Sequence, residues 1–300
     1  MLKLRDWIDN NHLKYSELSY NPQALSILSK NLDKINWYNL CFNTNGIEII
    51  EKNIDKLCIF CWGALSSNSS AINILVQNLD KINWDNFSKN ENQIAIDILS
   101  LNLDKINWYY LSGNPSAMSI LTLNLDKIKW DQLSRNPNHI AIDILSKNLD
   151  KINWHYLSGN PSAMSILSQN LDKIDWGLFS ENPHAMSILS KNLDKVIWKH
   201  LSRNLQAINI LAINLHKLDK LCWNNLSSNP HALSILENNL DKINWNIIFF
   251  NQSIFELDYD TMKNNCNIFK KELIEKAFHP SRIQKWLDQG ILIEELDDLL

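Results

Sequence analysis

Ten tryptophans recur at one place in a short repeated phrase, and that recurrence restricts the chain to one kind of architecture. They are Trp37, Trp62, Trp84, Trp108, Trp130, Trp154, Trp176, Trp198, Trp223 and Trp245, separated by 22, 24 or 25 residues. The phrase reads Asn-Pro-x-Ala-Met-x-Ile-Leu-x-x-Asn-Leu-Asp-Lys-Ile-Asn-Trp-x-x-Leu-Ser, and residues 160–180 are a representative copy. A unit this small has no core of its own. It buries its apolar face only against the units before and after it. Length alone would imply about two globular domains. Layers that add end to end imply one array instead.

Each unit reads as two helices. Asn160-Pro161 is a helix start, with Asn as the cap and Pro at the first helical position, where its missing N–H is harmless. Ala163, Ile166 and Leu167 follow on one helical face. Asn170 is a residue that tolerates the left-handed ending of a helix, with Leu171 expected to fold back on Ile166. A second, shorter helix begins at Asp175, the place held by Asn36, Asn83, Asn107, Asn153 and Asn244 in other copies. Ile174 and Phe179 flank that cap as a hydrophobic staple. Helices this short do not persist alone in water, so packing between layers must hold them. Two copies add two residues near the first helix, at 90–99 and 136–145, and two add three residues between the helices, at 55–62 and 215–223.

The rival architecture is a leucine-rich repeat, whose period overlaps this one. Leu111-Ser112-Gly113-Asn114 resembles its Leu-x-x-Asn, but the flanking apolar places hold Tyr109 and Ser116, and elsewhere Asp131 and Asn138 or Lys199 and Gln206. Helical spacing after each Asn-Pro also argues against a strand. The expected fold is therefore an all-α solenoid of about eleven two-helix repeats with a helical carboxy-terminal cap. At roughly 8–10 Å per layer, an elongated stack would be about 90–110 Å long.

Three segments follow. Residues 1–21 read as an amino-terminal cap and degenerate first repeat, with Tyr15 in the Trp place. Residues 22–255 are the array. Residues 256–300 form a helical cap or docking element, with one helix over 260–278, a second from Pro280 to Gly290, and an acidic end at 294–300.

The repeat, with the tail Phe278-His279-Pro280-Ser281-Arg282-Ile283-Gln284-Lys285-Trp286-Leu287, resembles the short-repeat proteins of giant DNA viruses of amoebae, mimivirus-like viruses. The resemblance covers nearly the whole chain. It implies a setting, the cytoplasm of an infected cell or the virus particle, and no particular activity.

Bulk properties narrow the function classes. The chain is 45% hydrophobic and 21% charged with a net charge of −4, so no global field draws it to nucleic acid or an anionic membrane. No apolar run approaches 18 residues, and the start Met1-Leu2-Lys3-Leu4-Arg5-Asp6-Trp7 lacks the apolar core of a signal peptide. A chain that is neither membrane-spanning nor secreted is the expectation. Five irregularly spaced cysteines, Cys41, Cys58, Cys61, Cys222 and Cys266, suit a reducing compartment. Cys58-Ile59-Phe60-Cys61 has the spacing of a zinc half-site, but Cys41 one layer away makes three ligands at most, so no metal is expected. No phosphate loop, nucleophile elbow or isolated carboxylate pair is present, and neither a cofactor nor catalysis is expected.

The ten tryptophans read as structural core, each indole able to bury about 150–250 Å². A Lys column, including Lys127, Lys151 and Lys173, runs beside an Asp column, including Asp126, Asp150 and Asp172, and reads as a turn with weakly paired charges. Variation concentrates just after Trp, at Tyr109-Tyr110, Asp131-Gln132, His155-Tyr156, Gly177-Leu178, Lys199-His200 and Asn224-Asn225. Solenoids present such positions along a continuous surface. Tyr109, Tyr110, Asp131, Gln132, His155, Tyr156, Lys199, His200, Asn224 and Asn225 are the candidate binding surface. The expected partner is a protein, host or viral, with nucleic-acid binding weak or absent. The alternative is a sequence-tolerant RNA-binding helical repeat.

Overall fold

Asparagine side chains define where each helix of a layer starts and stops. In the computed structural model, which describes residues 2–8, 13–277 and 279–289, the Asn160 carboxamide accepts the Ser162 amide at 3.0 Å. Pro161–Ala163 makes one 3-10 turn and Met164–Leu167 continues as α-helix. Copies with two extra residues relay the cap: Asn90 accepts from Asn92, and Asn92 accepts from Ile94, each at 3.0 Å. Their first helices then run as eight α-helical residues, Gln93–Ser100 and His139–Ser146. The three-residue additions instead extend the start of the second helix, giving Ile59–Ser66 and Lys220–Ser228.

The first helix ends differently from the sequence expectation. Asn148 has φ −136°, so the backbone is not left-handed there. Its side chain closes the helix instead, donating to the Ile144 carbonyl at 2.8 Å, as Asn170 does to Ile166 at 2.9 Å. Leu171, expected to pack back on Ile166, is exposed. A 3-10 turn such as Leu149–Lys151 leads to the second helix, here Trp154–Ser158, capped by Asn153 through the Tyr156 amide at 3.2 Å.

Ala163, Leu167 and Leu157 are fully buried, and equivalents such as Ala117, Leu121 and Leu111 repeat this in other layers. Two polar columns are buried with them. In most layers the serine that ends the Trp helix donates to the Trp carbonyl and accepts the backbone amide that opens the next layer's second helix, whereas Cys41 and Phe249 hold this place after Trp37 and Trp245. Ser134 does this to Trp130 at 2.8 Å and from Asn153 at 3.0 Å. The asparagine two residues later caps its own first helix with its oxygen, and its amide group donates to two backbone carbonyls of the preceding layer. Asn136 reaches Ser112 and Asn114, both at 3.1 Å. Burying these groups carries little penalty because each finds its partners.

Eleven asparagines make this paired donation: Asn21, Asn43, Asn68, Asn90, Asn114, Asn136, Asn160, Asn182, Asn204, Asn229 and Asn251. The first of them closes the series. Asn21 donates to the carbonyls of Phe249 at 2.9 Å and Asn251 at 3.2 Å, the same two register positions that every other layer uses. Tyr20 lies edge-on to Phe250 and tilted to Phe42 of the next layer, each at 6.0 Å between ring centroids. Arg5 donates its amide to Ile254 at 2.9 Å and its Nε to Ser253 at 2.9 Å.

The unit Leu4–Phe255 is therefore a closed ring of eleven layers. The elongated stack of about 90–110 Å is not formed. The face of the first layer that an amino-terminal cap would have covered is occupied by the last layer. A mean turn of about 33° per layer, repeated eleven times, brings the ends together.

Among the described residues no strand lies between Tyr15 and Ile254, so the leucine-rich-repeat alternative does not hold. Two short strands, Leu2–Leu4 and Phe255–Leu257, pair with each other. Residues 1–3 and 256–300 form a second unit. It contains the helices Tyr259–Ala277 and Pro280–Asp288. Phe278, Gly290 and the acidic end 294–300 lie outside the described residues, as do residues 9–12 of the amino-terminal segment. Among the described residues no single helix is long and apolar enough to cross a membrane.

Candidate binding surface

Tryptophan sits at the edge of the core rather than at its centre. Trp62 and Trp223 are buried at 6% exposure, whereas Trp37, Trp84, Trp108, Trp130, Trp154, Trp176, Trp198 and Trp245 are half-buried. The fully buried positions between layers belong to Ala, Leu, Phe, Ser and Asn. The next layer's lysine lies over most of the indole rings. Lys151 Nζ lies 4.6 Å from the Trp130 ring centroid, Lys173 4.8 Å from Trp154 and Lys195 5.0 Å from Trp176. The same pairing recurs at Trp62, Trp84, Trp198 and Trp223, and between Lys34 and Tyr15. An ammonium over an indole face keeps its water on the other side, and the contact occurs at buried Trp62 and Trp223 as well as at half-buried rings. The lysine column is thus held by aromatic faces, and pairing with the neighbouring Asp is seen at Lys56 and Asp55, 3.7 Å apart.

The positions after Trp split into two kinds. Where the first residue of a pair is Asp131, His155 or Asn224, it reaches forward to the cap of the next layer's second helix. Asp131 accepts from Asn153 Nδ2 at 2.7 Å, and Asn224 from Asn244 Nδ2 at 2.8 Å. His155 Nδ1 lies 2.7 Å from Asp175 Oδ2. Burial pushes the Asp175 carboxyl up, but hydrogen bonds from the Leu178 amide and from His155 outweigh it and hold its pKa below the ordinary value. Tyr109 and Lys199 are exposed.

The second residue points back between layers. Gln132 is buried and Tyr110, Tyr156, His200 and Asn225 are half-buried. Asn225 donates to the Lys199 carbonyl at 2.7 Å. Tyr156 lies under the Arg135 guanidinium, 3.7 Å away, and Tyr110 under Lys89, 3.9 Å away. His200 Nδ1 meets Glu181 Oε1 at 2.6 Å, and Arg203 meets the same carboxylate at 3.0 Å. A Cβ on Gly177 would sit 3.0 Å from Asp175 Oδ1 and at an ordinary contact distance, 3.5 Å, from His200 Nε2. Much of the variation read as a binding strip is therefore neighbour-to-neighbour fitting. Tyr109, Asp131, His155 and Lys199 remain on the outer surface of the Trp helices.

The same face carries an apolar groove missed in the sequence. It has a volume of about 650 Å³ and spans three successive Trp helices, Trp37–Leu40, Ile59–Ser66 and Trp84–Phe87. Tyr38, Phe42, Ile59 and Phe60 line it, with Asn83, Asn86 and Lys89 at its polar side. Ile59 and Phe60 are 80% and 74% exposed. Their position inside the three-residue addition was the available signal: Ile59 and Phe60 follow the Asp55-Lys56-Leu57-Cys58 that matches Asp-Lys-Ile-Asn, where the other such layer has Lys220 and Leu221.

Cys58 stands at the start of the helix that carries this pair without a side-chain cap hydrogen bond, and Cys61 lies one turn further on. Among the described residues no group of three or more His, Cys, Asp or Glu is arranged to hold a metal ion. No family model, curated protein or solved structure matches the chain.

Proposed function

We propose that the ring is a non-enzymatic scaffold that binds a protein partner, host or viral, on the face formed by its Trp helices. The observation that carries this reading is the groove around Phe60. Nearly every framework polar group is consumed in layer-to-layer bonding, yet Ile59 and Phe60 stand exposed beside Tyr38 and Phe42. Exposed apolar residues with a polar margin are the usual anchor of a protein interface. The cytoplasm of an infected cell, or the virus particle, is the setting that goes with this proposal. RNA is the competing ligand. Against it stand the net charge of −4 and a lysine column folded onto indole rings.

The test is affinity capture from expressing cells, with and without nuclease, using the wild-type chain and Phe60→Asp. Protein partners that survive nuclease and are lost with Phe60→Asp, at unchanged melting temperature, support the scaffold. Sub-micromolar binding of single-stranded RNA that falls steeply with salt and is lost when Lys127, Lys151 and Lys173 become Glu would replace it with the RNA reading.

A further inference from the structure

Two layers carry the three-residue addition, and a comparison between them isolates an unusual set of side chains. In one, Asp219 caps the helix Lys220–Ser228 by accepting the Cys222 amide at 2.9 Å. In the other, Cys58 stands in the place of Asp219 and Cys61 in the place of Cys222. Cys41 stands where the second copy has Ser202. Three thiols thus collect where the duplicate layer has one. Cys58 Sγ lies 3.3 Å from Cys61 Sγ. Cys58 is exposed, whereas Cys61 and Cys41 are buried beneath it.

We propose that Cys58 and Cys61 are a redox-active dithiol that exchanges with disulfides, Cys58 attacking and Cys61 resolving. Exposure and position at a helix start suit Cys58 to the first role. The Cys61 amide and thiol beside its sulfur favour the thiolate, so its pKa lies below the ordinary thiol value. Cys61 is held protonated by burial and by the neighbouring Cys58, and its pKa is raised. It becomes the nucleophile only when a disulfide sulfur is presented at Cys58. Joining the two sulfurs means closing 3.3 Å to a bond of about 2.05 Å, a small side-chain rotation.

The exchange balances with any disulfide R–S–S–R′ as co-reactant. The Cys58 thiolate attacks one sulfur, the S–S bond breaks, and R′–S⁻ leaves and takes a proton from water. Cys61 then gives its proton to solvent and attacks Cys58 Sγ. The Cys58–Cys61 bond forms, and R–S⁻ leaves and is protonated. Two thiols of the protein are oxidised and one disulfide is reduced to two thiols. Ile59 and Phe60, between the cysteines in sequence and exposed beside them, favour a peptide disulfide with apolar flanks over a small charged one. The dithiol stands on its own geometry and does not depend on the scaffold reading.

The test uses the full chain equilibrated in glutathione redox buffers, quenched in acid, alkylated and mapped by peptide mass. Oxidation should appear as one two-electron transition that joins Cys58 to Cys61. Cys61→Ser should instead trap glutathione on Cys58. Cys58→Asp, which installs the cap of the duplicate layer, should abolish both products, and Cys41→Ser, which installs its serine, should leave both intact. In the reduced protein, Cys58 should be alkylated at neutral pH roughly tenfold faster than the exposed Cys266. A leucine-flanked cystine peptide should oxidise the pair faster than glutathione disulfide, and equal rates would remove the peptide preference. Equal alkylation of Cys58 and Cys266, or oxidising buffer that leaves Cys58 and Cys61 unjoined, would overturn the proposal.

Discussion

Asn21→Ala separates a closed ring from an open array by the size of its effect. In the interior, Asn136→Ala removes three hydrogen bonds. Its oxygen caps the Asn138 amide at 3.0 Å, and losing a helix cap costs about 1 kcal/mol. Its amide group serves the buried Ser112 and Asn114 carbonyls, each at 3.1 Å. The Asn114 carbonyl keeps the Ala117 amide at 3.2 Å and loses less, about 1 kcal/mol. The Ser112 carbonyl is left buried with its donor removed, at about 1–3 kcal/mol. Asn136→Ala should therefore destabilise by about 3–5 kcal/mol. Asn21 makes the same three bonds, to Gln23 at 3.0 Å, Phe249 at 2.9 Å and Asn251 at 3.2 Å, so Asn21→Ala should cost a similar amount. In an open array Asn21 would belong to an end layer with nothing before it, and only the cap, about 1 kcal/mol, would be lost. Urea unfolding followed by tryptophan fluorescence reads the difference. A value near 1 kcal/mol for Asn21→Ala beside 3–5 for Asn136→Ala would refute closure.

Two further outcomes test the surface. Trp154→Ala should destabilise by about 2–4 kcal/mol, and a double-mutant cycle of Trp154→Leu with Lys173→Met should give a coupling of about 0.5–1 kcal/mol; zero coupling would mean the indole does not hold the ammonium. Asp175 has a folded pKa below the ordinary value, so its contribution is present above the unfolded pKa of about 3.9 and is lost as pH falls through the folded pKa. Urea midpoints between pH 6 and pH 3 should therefore fall more steeply for wild type than for Asp175→Asn, and parallel curves would contradict the pairing with His155.

The period, the helical class and both caps were legible because each rests on local chemistry: Asn before a helical stripe, Pro at its first position, and Trp at a fixed interval. The asparagine of Asn-Pro was read only as a cap, which uses its oxygen alone. A signal for the rest was present. Ser, Thr or Asp would also cap, yet Asn persists where Pro is lost, in Asn43-Thr44, Asn68-Ser69, Asn90-Glu91, Asn204-Leu205 and Asn251-Gln252. Only an amide side chain can accept at its own helix and donate twice to the preceding layer. Closure was not legible, because curvature is the sum of small tilts that a single phrase does not encode. The variable strip was half legible. Outward positions such as Tyr109 and His155 were separable only once helix phase was known, and Gln132 proved to be buried. The groove at Ile59 and Phe60 arises from an insertion before Trp62, so it is not marked by the variation after Trp.

Closure is tested most directly by measuring how far the first layer lies from the last. In a variant whose exposed native cysteines are replaced, spin labels are placed at Gln23 and Ser253 and, separately, at Gln23 and Asn45, which are equivalent positions of adjacent layers. Pulsed electron resonance should return closely similar distributions for the two pairs, each reflecting one layer step of about 10 Å plus the label arms. An open array would keep the Gln23–Asn45 distance and move the Gln23–Ser253 pair to roughly 80–100 Å, and that result would contradict the ring.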